Sequence, residues 1–453
     1  MVYLAASGHS LIHGTAGSGK TVMAILRSAA LAAVTTKNFG PTLLLTHDNS
    51  LVKYLRYMAE GEAAGVVIET YHKFARGYLN NRGRMSHNCI SDDMEHDLRV
   101  AISLVRQRYK PHTFFERPVE FFLDEIKWIC GMGIGDEQSY LAVERAGRKE
   151  ALVPSLRKVM WQIHQETLNQ LSASGKRYYW ENLATAVLAA LAEDSTPRRY
   201  RHIVIDEAQD FSPEIVRSLA AAIQPGGSLT VFMDESQQVY GQRTTWRTWG
   251  LSVKPAQVHR FTDNYRNTAE IARIALAMAE MPHFKDTPDI VMPITPRRAA
   301  GALPTLYVAK SLENETATVV QRASSLGRTA RVAVLVRKSS TVRSLLGLLP
   351  GAIKIDRNMR RWDDEPGIYV GTFHAAKGLE FEIVIVPFAN ADSMPRQDVV
   401  TAFGSVEAQG RESRLLYVGV TRARTELLVT CTGSPTQLLP APESGLWQVE
   451  VKQ

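Results

Sequence analysis

The sequence predicts an α/β protein of two parallel-sheet domains in tandem, the first interrupted by an all-helical insertion. Three observations carry that prediction. A glycine-rich segment, GTAGSGKT from Gly14 to Thr21, stands between a short apolar run and a helix-periodic stretch. Short apolar runs then alternate with helical periodicity to about residue 90, the rhythm of a helix-covered parallel sheet. The same rhythm returns near Arg201 and starts afresh beyond a Pro-rich stretch, Pro282 to Pro304.

Element by element, Ser10 to His13 reads as a strand and Val22 to Ala33 as a helix. Thr42 to Thr46 (TLLLT) and Val66 to Glu69 (VVIE) read as strands, with a helix between them from Ser50 to Glu60. From Asp92 to Thr196 only helical patterns occur, clearest at Leu98 to Tyr109, Val119 to Ile129, Ser155 to Leu171 and Glu181 to Ala192. Strands resume at RHIVIDEAQ from Arg201 and at SLTVFMDE from Ser228, and a helix follows from Thr268 to Met281. Later strands are Thr305 to Val308, Val332 to Arg337, Gly367 to Thr372, Phe381 to Pro387 and Thr425 to Thr430, with a helix around Ser413 to Thr421. The expected domains are residues 1–91 and 198–282 for the first α/β unit, 92–197 for the insertion and 283–453 for the second unit.

At 453 residues the chain exceeds what one core supports. No stretch approaches a membrane span in length. Three widely spaced cysteines, Cys89, Cys130 and Cys431, argue against a disulfide framework or a zinc site, and point to a reducing cytoplasm. A net charge of +7 agrees with a polyanionic partner without demanding one.

The chemistry starts at the glycine-rich segment, which fits G-x-x-x-x-G-K-[ST] in the strand–loop–helix context that pattern needs. Gly14, Gly17 and Gly19 let backbone N–H groups close around phosphate oxygens, Lys20 reaches the outer phosphates, and Thr21 offers a hydroxyl to Mg2+. Asp206 and Glu207 end an apolar strand, where parallel sheets place ligands. An Asp there holds magnesium, and the adjacent Glu orients and deprotonates a water. Gln237 lies past the next strand, suited to sensing a γ-phosphate. Arg266 and Arg422 are candidate arginines for the transferring phosphoryl group.

The ordered set GTAGSGKT, TLLLTHDN, ETYHKF, IVIDEAQD, FMDESQQVY, FTDNYRN, VGTFHAAKGLEF and ESRLLYVGVTRA resembles superfamily 1 helicases and is similar to their UvrD/Rep/PcrA-like branch. The resemblance implies two RecA-like domains clamping ATP and Mg2+ between them while single-stranded nucleic acid, DNA before RNA, crosses their top with 3′→5′ polarity. It implies that Gly14, Thr15, Ala16, Gly17, Ser18, Gly19, Lys20 and Thr21 cradle the nucleotide, with Thr21 and Asp206 holding the metal. Tyr265 would lie against the adenine and Glu380 beside the ribose or phosphates. Thr46, His47, Asn49, Thr70, His72, Tyr240, Arg243, Thr372 and His374 would line the strand path. The basic clusters Arg198-Arg199-Arg201 and Arg357 to Arg361 add phosphate candidates.

The chain departs from the family pattern in four places. It starts too late for the upstream adenine-reading glutamine, and Val22 stands where an arginine commonly follows GKT. Gln242 replaces a base-stacking aromatic, for which Trp246 or Trp249 would substitute. Only about 100 residues separate Arg266 from Thr372, too few for the bulky helical insertion of Rep-type enzymes. A second reading therefore stands beside the motor: a nucleic-acid-stimulated ATPase subunit regulating a protein partner, such as a nuclease in repair or antiviral defence. A phosphate-loop kinase or GTPase would leave TFHAAKGLEF and YVGVTRA unexplained.

Overall fold

The structure is a computed structural model describing residues 4–61, 63–145, 152–234, 246–284, 295–296, 300–356, 358–359, 362 and 364–451. The N-terminal part runs β1 (Gly8–Gly14), α1 (Lys20–Ala32), β2 (Thr42–Thr46), α2 (Asn49–Met58), β3 (Val66–Thr70) and α3 (Tyr71–Asn81). A helical block follows: β4 (Ile90–Ser91), α4 (Met94–Arg106), α5 (Val119–Met132), α6 (Glu137–Ala142), α7 (Pro154–Ala173) and β5 (Tyr178–Tyr179). Next come α8 (Leu183–Glu193), β6 (Tyr200–Ile205), α9 (Pro213–Ala221), β7 (Ile223–Met233), β8 (Val258–Phe261), β9 (Asp263–Asn264), α10 (Ala269–Ala279) and β10 (Thr295–Pro296). The remainder is β11 (Thr305–Ala309), α11 (Leu312–Leu326), β12 (Arg331–Val336), α12 (Ser339–Leu348), β13 (Ile353–Lys354), β14 (Gly367–Thr372), β15 (Phe381–Val386), α13 (Gln397–Phe403), α14 (Ser405–Val420), β16 (Ala423–Thr432) and β17 (Gln448–Val451).

The first sheet has strand order β3-β2-β6-β7-β1-β8 and the second β13-β14-β12-β15-β16-β11-β17, every pairing parallel. Strands covered on both faces read as continuous apolar runs, which is why TLLLT is buried at all five positions. Because β6, β7 and β1 are neighbours, their C-terminal ends bring Asp206, Asp234 and the glycine-rich loop to one edge.

The helical block has its own core, in which Phe114, Phe121, Phe122, Trp128, Trp161 and Tyr179 meet, and the short β4–β5 pair closes its neck. The boundaries differ from the sequence expectation in two places. Leu183, Val187 and Leu191 of α8 pack in the first sheet's core, so the insertion's core stops near Tyr179, short of residue 197. Helix α10 packs against α14 and β16 of the second unit, so that unit begins before residue 282. Both shifts have one cause: an amphipathic helix goes with the sheet that buries its stripe, which periodicity does not name. One core crosses between the α/β units, where Tyr54 of α2 meets Trp362 edge-on with ring centroids 5.3 Å apart.

Candidate nucleotide cleft and strand groove

The loop from Gly14 to Gly19 leads directly into α1 at Lys20, so the helix's first N–H groups face the loop. Gly17 and Gly19 hold φ of 76° and 82°, a region L side chains rarely enter. Gly14 is needed for close approach, since a Cβ there would stand 2.6 Å from Ser18 Oγ. The Thr15 N–H donates to Phe261 O on β8 (3.1 Å) and Ser18 Oγ to Thr15 O (2.8 Å), while Ala16 is buried. Lys20 Nζ donates to the carbonyls of Gly14 and Thr15 at 2.7 Å and lies 3.3 Å from Asp234 Oδ2.

Asp206 is fully buried, and neither carboxylate oxygen has a well-formed hydrogen bond. Burial and the neighbouring Glu207 charge push its pKa up to about 7, while the Thr21 hydroxyl and Lys20 pull the other way. A buried carboxylate with unused oxygens beside a hydroxyl fits a hard divalent cation, so Asp206 and Thr21 suit Mg2+. Glu207 is held at φ 56°, the left-handed region, a strain that non-glycine residues accept chiefly at functional sites. Gln209 Nε2 donates to Glu207, and its Oε1 accepts from the Asp234 N–H (2.9 Å), tying the ends of β6 and β7 together.

The second unit faces these carboxylates. Arg266 pairs with Glu380 at 2.5 Å. Burial alone would raise the Glu380 pKa; the charges of Arg266, Arg422 and Arg424 outweigh it and hold that carboxyl below its usual range. Arg422 is fully buried and donates to the carbonyls of Val418 (3.0 Å) and Leu379 (3.4 Å) and to Thr421 Oγ1 (3.2 Å). Burial, then the charge of Arg266, lowers its pKa to about 10, against the pull of Glu207, Glu380 and Asp234. It therefore stays cationic at neutral pH, within the field of carboxylates from both units. Tyr265 is 60% exposed and Val22 45% exposed, and the Tyr265 N–H donates to Gly17 O (2.8 Å). That hydrogen bond fixes the tyrosine against the phosphate loop.

His47, His72 and His374 line one cavity of about 440 Å³ with Trp180, Gln209 and Asp210. His47, Asn49, Thr70 and His72 continue into a larger groove of about 1170 Å³, again with Trp180. A third space of about 500 Å³ sets His47, Thr372 and His374 beside Glu207, Asp210 and Lys377, so the groove opens onto the Glu207 carboxylate. Burial lowers the pKa of His72 and His374 to about 4, helped by His47 in the first case and by Arg337, Lys377 and Arg396 in the second. These rings are neutral at physiological pH. The hydroxyls of Thr70 and Thr372 accept from the N–H groups of Lys73 and Ala375, which leaves their O–H for donation. Thr46 differs: it is fully buried and lines none of these spaces.

Gln237, Tyr240 and Arg243 lie outside the described residues, as does most of Arg357–Arg361. Trp249 is fully buried in the first core, so the expectation that it stacks a base is corrected. Arg198 is spent on the carbonyls of Leu191, Asp194 and Ala221, a structural use of a residue taken as a phosphate candidate. Sequence reasoning also missed partners. Trp180 enters the groove from the neck of the insertion, edge-on to His72 at 5.0 Å between centroids. Lys377 pairs with Asp210 across the two units at 2.6 Å, both buried. A lysine inside GTFHAAKGLEF and a second acid in DEAQD were the available signals.

Two lobes of parallel sheet, a phosphate loop and the Arg266–Glu380 pair between them are the architecture of a two-lobed nucleotide-hydrolysing enzyme. The family model for the UvrD/REP helicase N-terminal domain matches residues 2–248, and that for the UvrD-like helicase C-terminal domain matches residues 352–434. The first covers more than half of the chain, which belongs to the UvrD-like helicase family in superfamily 1; its class is that of the ATP-dependent DNA helicases. It is similar to a probable DNA helicase of Mycoplasma pneumoniae, 22% identical over 93% of this chain and 80% of the relative. It is 22% identical to ATP-dependent DNA helicase UvrD2 of Mycobacterium bovis, over 68% of this chain and 58% of that protein. Against DNA helicase II of Haemophilus influenzae it is 23% identical over 59% of this chain, spanning 38% of that protein's length. Among the described residues no helix is long and apolar enough to cross a membrane, and Cys89, Cys130 and Cys431 are free and buried.

Proposed function

We propose that the chain is a motor that travels 3′→5′ along single-stranded DNA, burning ATP between its two RecA-like units. Lys20 and the loop N–H groups bind the phosphates, and Glu207, steadied by Gln209, orients the attacking water and takes its proton. Mg2+, held by Thr21 and Asp206, would supply charge neutralisation on the phosphates. Arg266 and Arg422 stabilise the charge that develops on the transferring group, and Tyr265 stacks on the base. The observation carrying this reading is the seam itself: Arg266, next to the phosphate loop, pairs with Glu380 at 2.5 Å, and Asp210 pairs with Lys377 at 2.6 Å beside Glu207.

Hydrolysis reaches the strand through the space that joins Glu207 to His47, Thr372 and His374. Opening and closing of the cleft would then shift the grip from one unit to the other. Neutral imidazoles and Trp180 suit contact with bases and sugar–phosphate without sequence readout. Streptavidin displacement tests the direction. ATP should speed loss of streptavidin from a 5′-biotinylated single strand and leave the 3′-biotinylated strand unchanged. Faster loss from the 3′ end alone would reverse the polarity, and no acceleration at either end would remove the motor.

A further inference from the structure

Between the phosphate loop and the turn carrying Arg422 lies a pair of buried amides, Asn264 and Asn267, 3% and 0% exposed. We infer that these two asparagines are positioning residues, setting Arg422 according to the state of the phosphate loop. Asn264 Oδ1 accepts from the N–H groups of Arg266 (3.0 Å) and Asn267 (3.1 Å), which fixes the backbone from which Arg266 projects. Its Nδ2 donates to Asn267 Oδ1 at 2.8 Å. Asn267 Nδ2 in turn donates to Thr421 O (3.3 Å) and to Ala423 O, the carbonyls on either side of Arg422.

At the other end, a Cβ placed on Gly17 would collide with the Asn264 side chain and with Arg266 Cβ, so the loop rests directly on the first amide. The Tyr265 N–H to Gly17 O bond reinforces that contact, and the Thr268 N–H to Arg424 O bond (3.0 Å) reinforces the far end. The chain therefore runs from packing contact at Gly17, through the Asn264–Asn267 hydrogen bond, to the two carbonyls that flank Arg422. A nucleotide that shifts Gly17 therefore shifts Asn264, and the packed, hydrogen-bonded pair carries that shift to the turn holding Arg422. A misplacement of about 1 Å at a charge-stabilising group costs on the order of 10²-fold in rate.

The inference rests on the reading of Arg422 as acting on the transferring phosphoryl group. Its test is single-turnover ATP hydrolysis on single-stranded DNA, beside equilibrium binding of a fluorescent ATP analogue. The variants are Asn267→Ala, Arg422→Ala and the double substitution. Asn267→Ala should lower the hydrolysis rate about 10²-fold while nucleotide affinity stays within about threefold. The double variant should be no more than about twofold slower than Arg422→Ala, because both changes remove one effect. Asn267→Asp keeps the shape but loses the donors, and should fall at least as far as the alanine variant; a mere packing role would spare it. Should Asn267→Ala melt below the assay temperature, Asn264→Asp takes its place with the same expected loss, since it keeps the acceptor and removes the link to Asn267. A rate within about threefold of wild type in the folded variant, or losses that multiply in the double, overturns the inference. If Arg422→Ala itself hydrolyses normally, the reading of Arg422 has failed instead.

Discussion

In the nucleotide cleft three charged groups are placed by named partners, Glu207 by Gln209, Arg266 by Glu380, and Lys20 by loop carbonyls and Asp234, beside the buried Asp206. The strand groove is assembled differently. His72 and His374 are held neutral by burial, the Thr70 and Thr372 hydroxyls hold the helix start and the turn that follow their strands, and Trp180 comes from the neck of a separate subdomain. The cleft concentrates fixed charge where a transition state needs it, while the groove sets neutral rings, threonine hydroxyls and the Trp180 face among Lys73, Arg76 and Arg199, a lining that suits a phosphate backbone and its bases. Fixed charge in one and a mixed polar, basic and aromatic lining in the other suit the proposed division between hydrolysis and strand contact.

The largest effect should come from the cleft. Glu207→Gln should slow single-turnover hydrolysis by about 10³-fold, within the range for a general base, with nucleotide affinity nearly unchanged. A matching loss of affinity would move Glu207 from chemistry to binding. In the groove, Trp180→Ala should weaken single-stranded DNA binding by about 10- to 100-fold, as expected for a lost base stack, measured by fluorescence anisotropy. An unchanged affinity would confine Trp180 to the neck of the insertion. Smaller again, Tyr265→Ala should raise the KM for ATP by about 5- to 10-fold and leave kcat within about twofold, the value of one aromatic stack.

The weakest effect separates the regions by pH. Asp206 has a folded-state pKa of about 7, raised above the ordinary 3.8, so the fold favours its protonated form. Its ionisation costs stability progressively as pH rises from about 4 to 7, and the penalty is complete above that range. Asp206→Asn should therefore raise the metal-free melting temperature by a few degrees at pH 8, with a smaller gain at pH 5. The share of DNA affinity lost in His72→Gln and His374→Gln should stay the same from pH 6 to 8, because both rings titrate near 4. A transition near pH 6.5 that disappears in these two variants would mean that the rings ionise as free histidines.

The sequence exposed the two regions unequally. Gly14 to Thr21 and the Asp206-Glu207 strand end were legible because each is a contiguous run whose spacing carries its chemistry. The two parallel sheets were legible from apolar rhythm, although the short edge strands β8 and β17 were not, being brief and only partly buried. Trp180 stayed hidden because its role depends on where the insertion's neck folds back. The Asp210–Lys377 pair joins residues 167 positions apart, a contact that local pattern does not specify. The helices α8 and α10 were seen as helices but assigned to the wrong neighbours, since an apolar stripe states that it will be buried and not against what.

Hydrolysis by Arg422→Ala tests the central claim most directly. With saturating ATP and single-stranded DNA, and with melting temperature and nucleotide affinity checked against wild type, the rate should fall on the order of 10³-fold. A folded Arg422→Ala protein that hydrolyses ATP at the wild-type rate would show that the second unit lends no charge to the reaction, and the two-lobed motor would be contradicted.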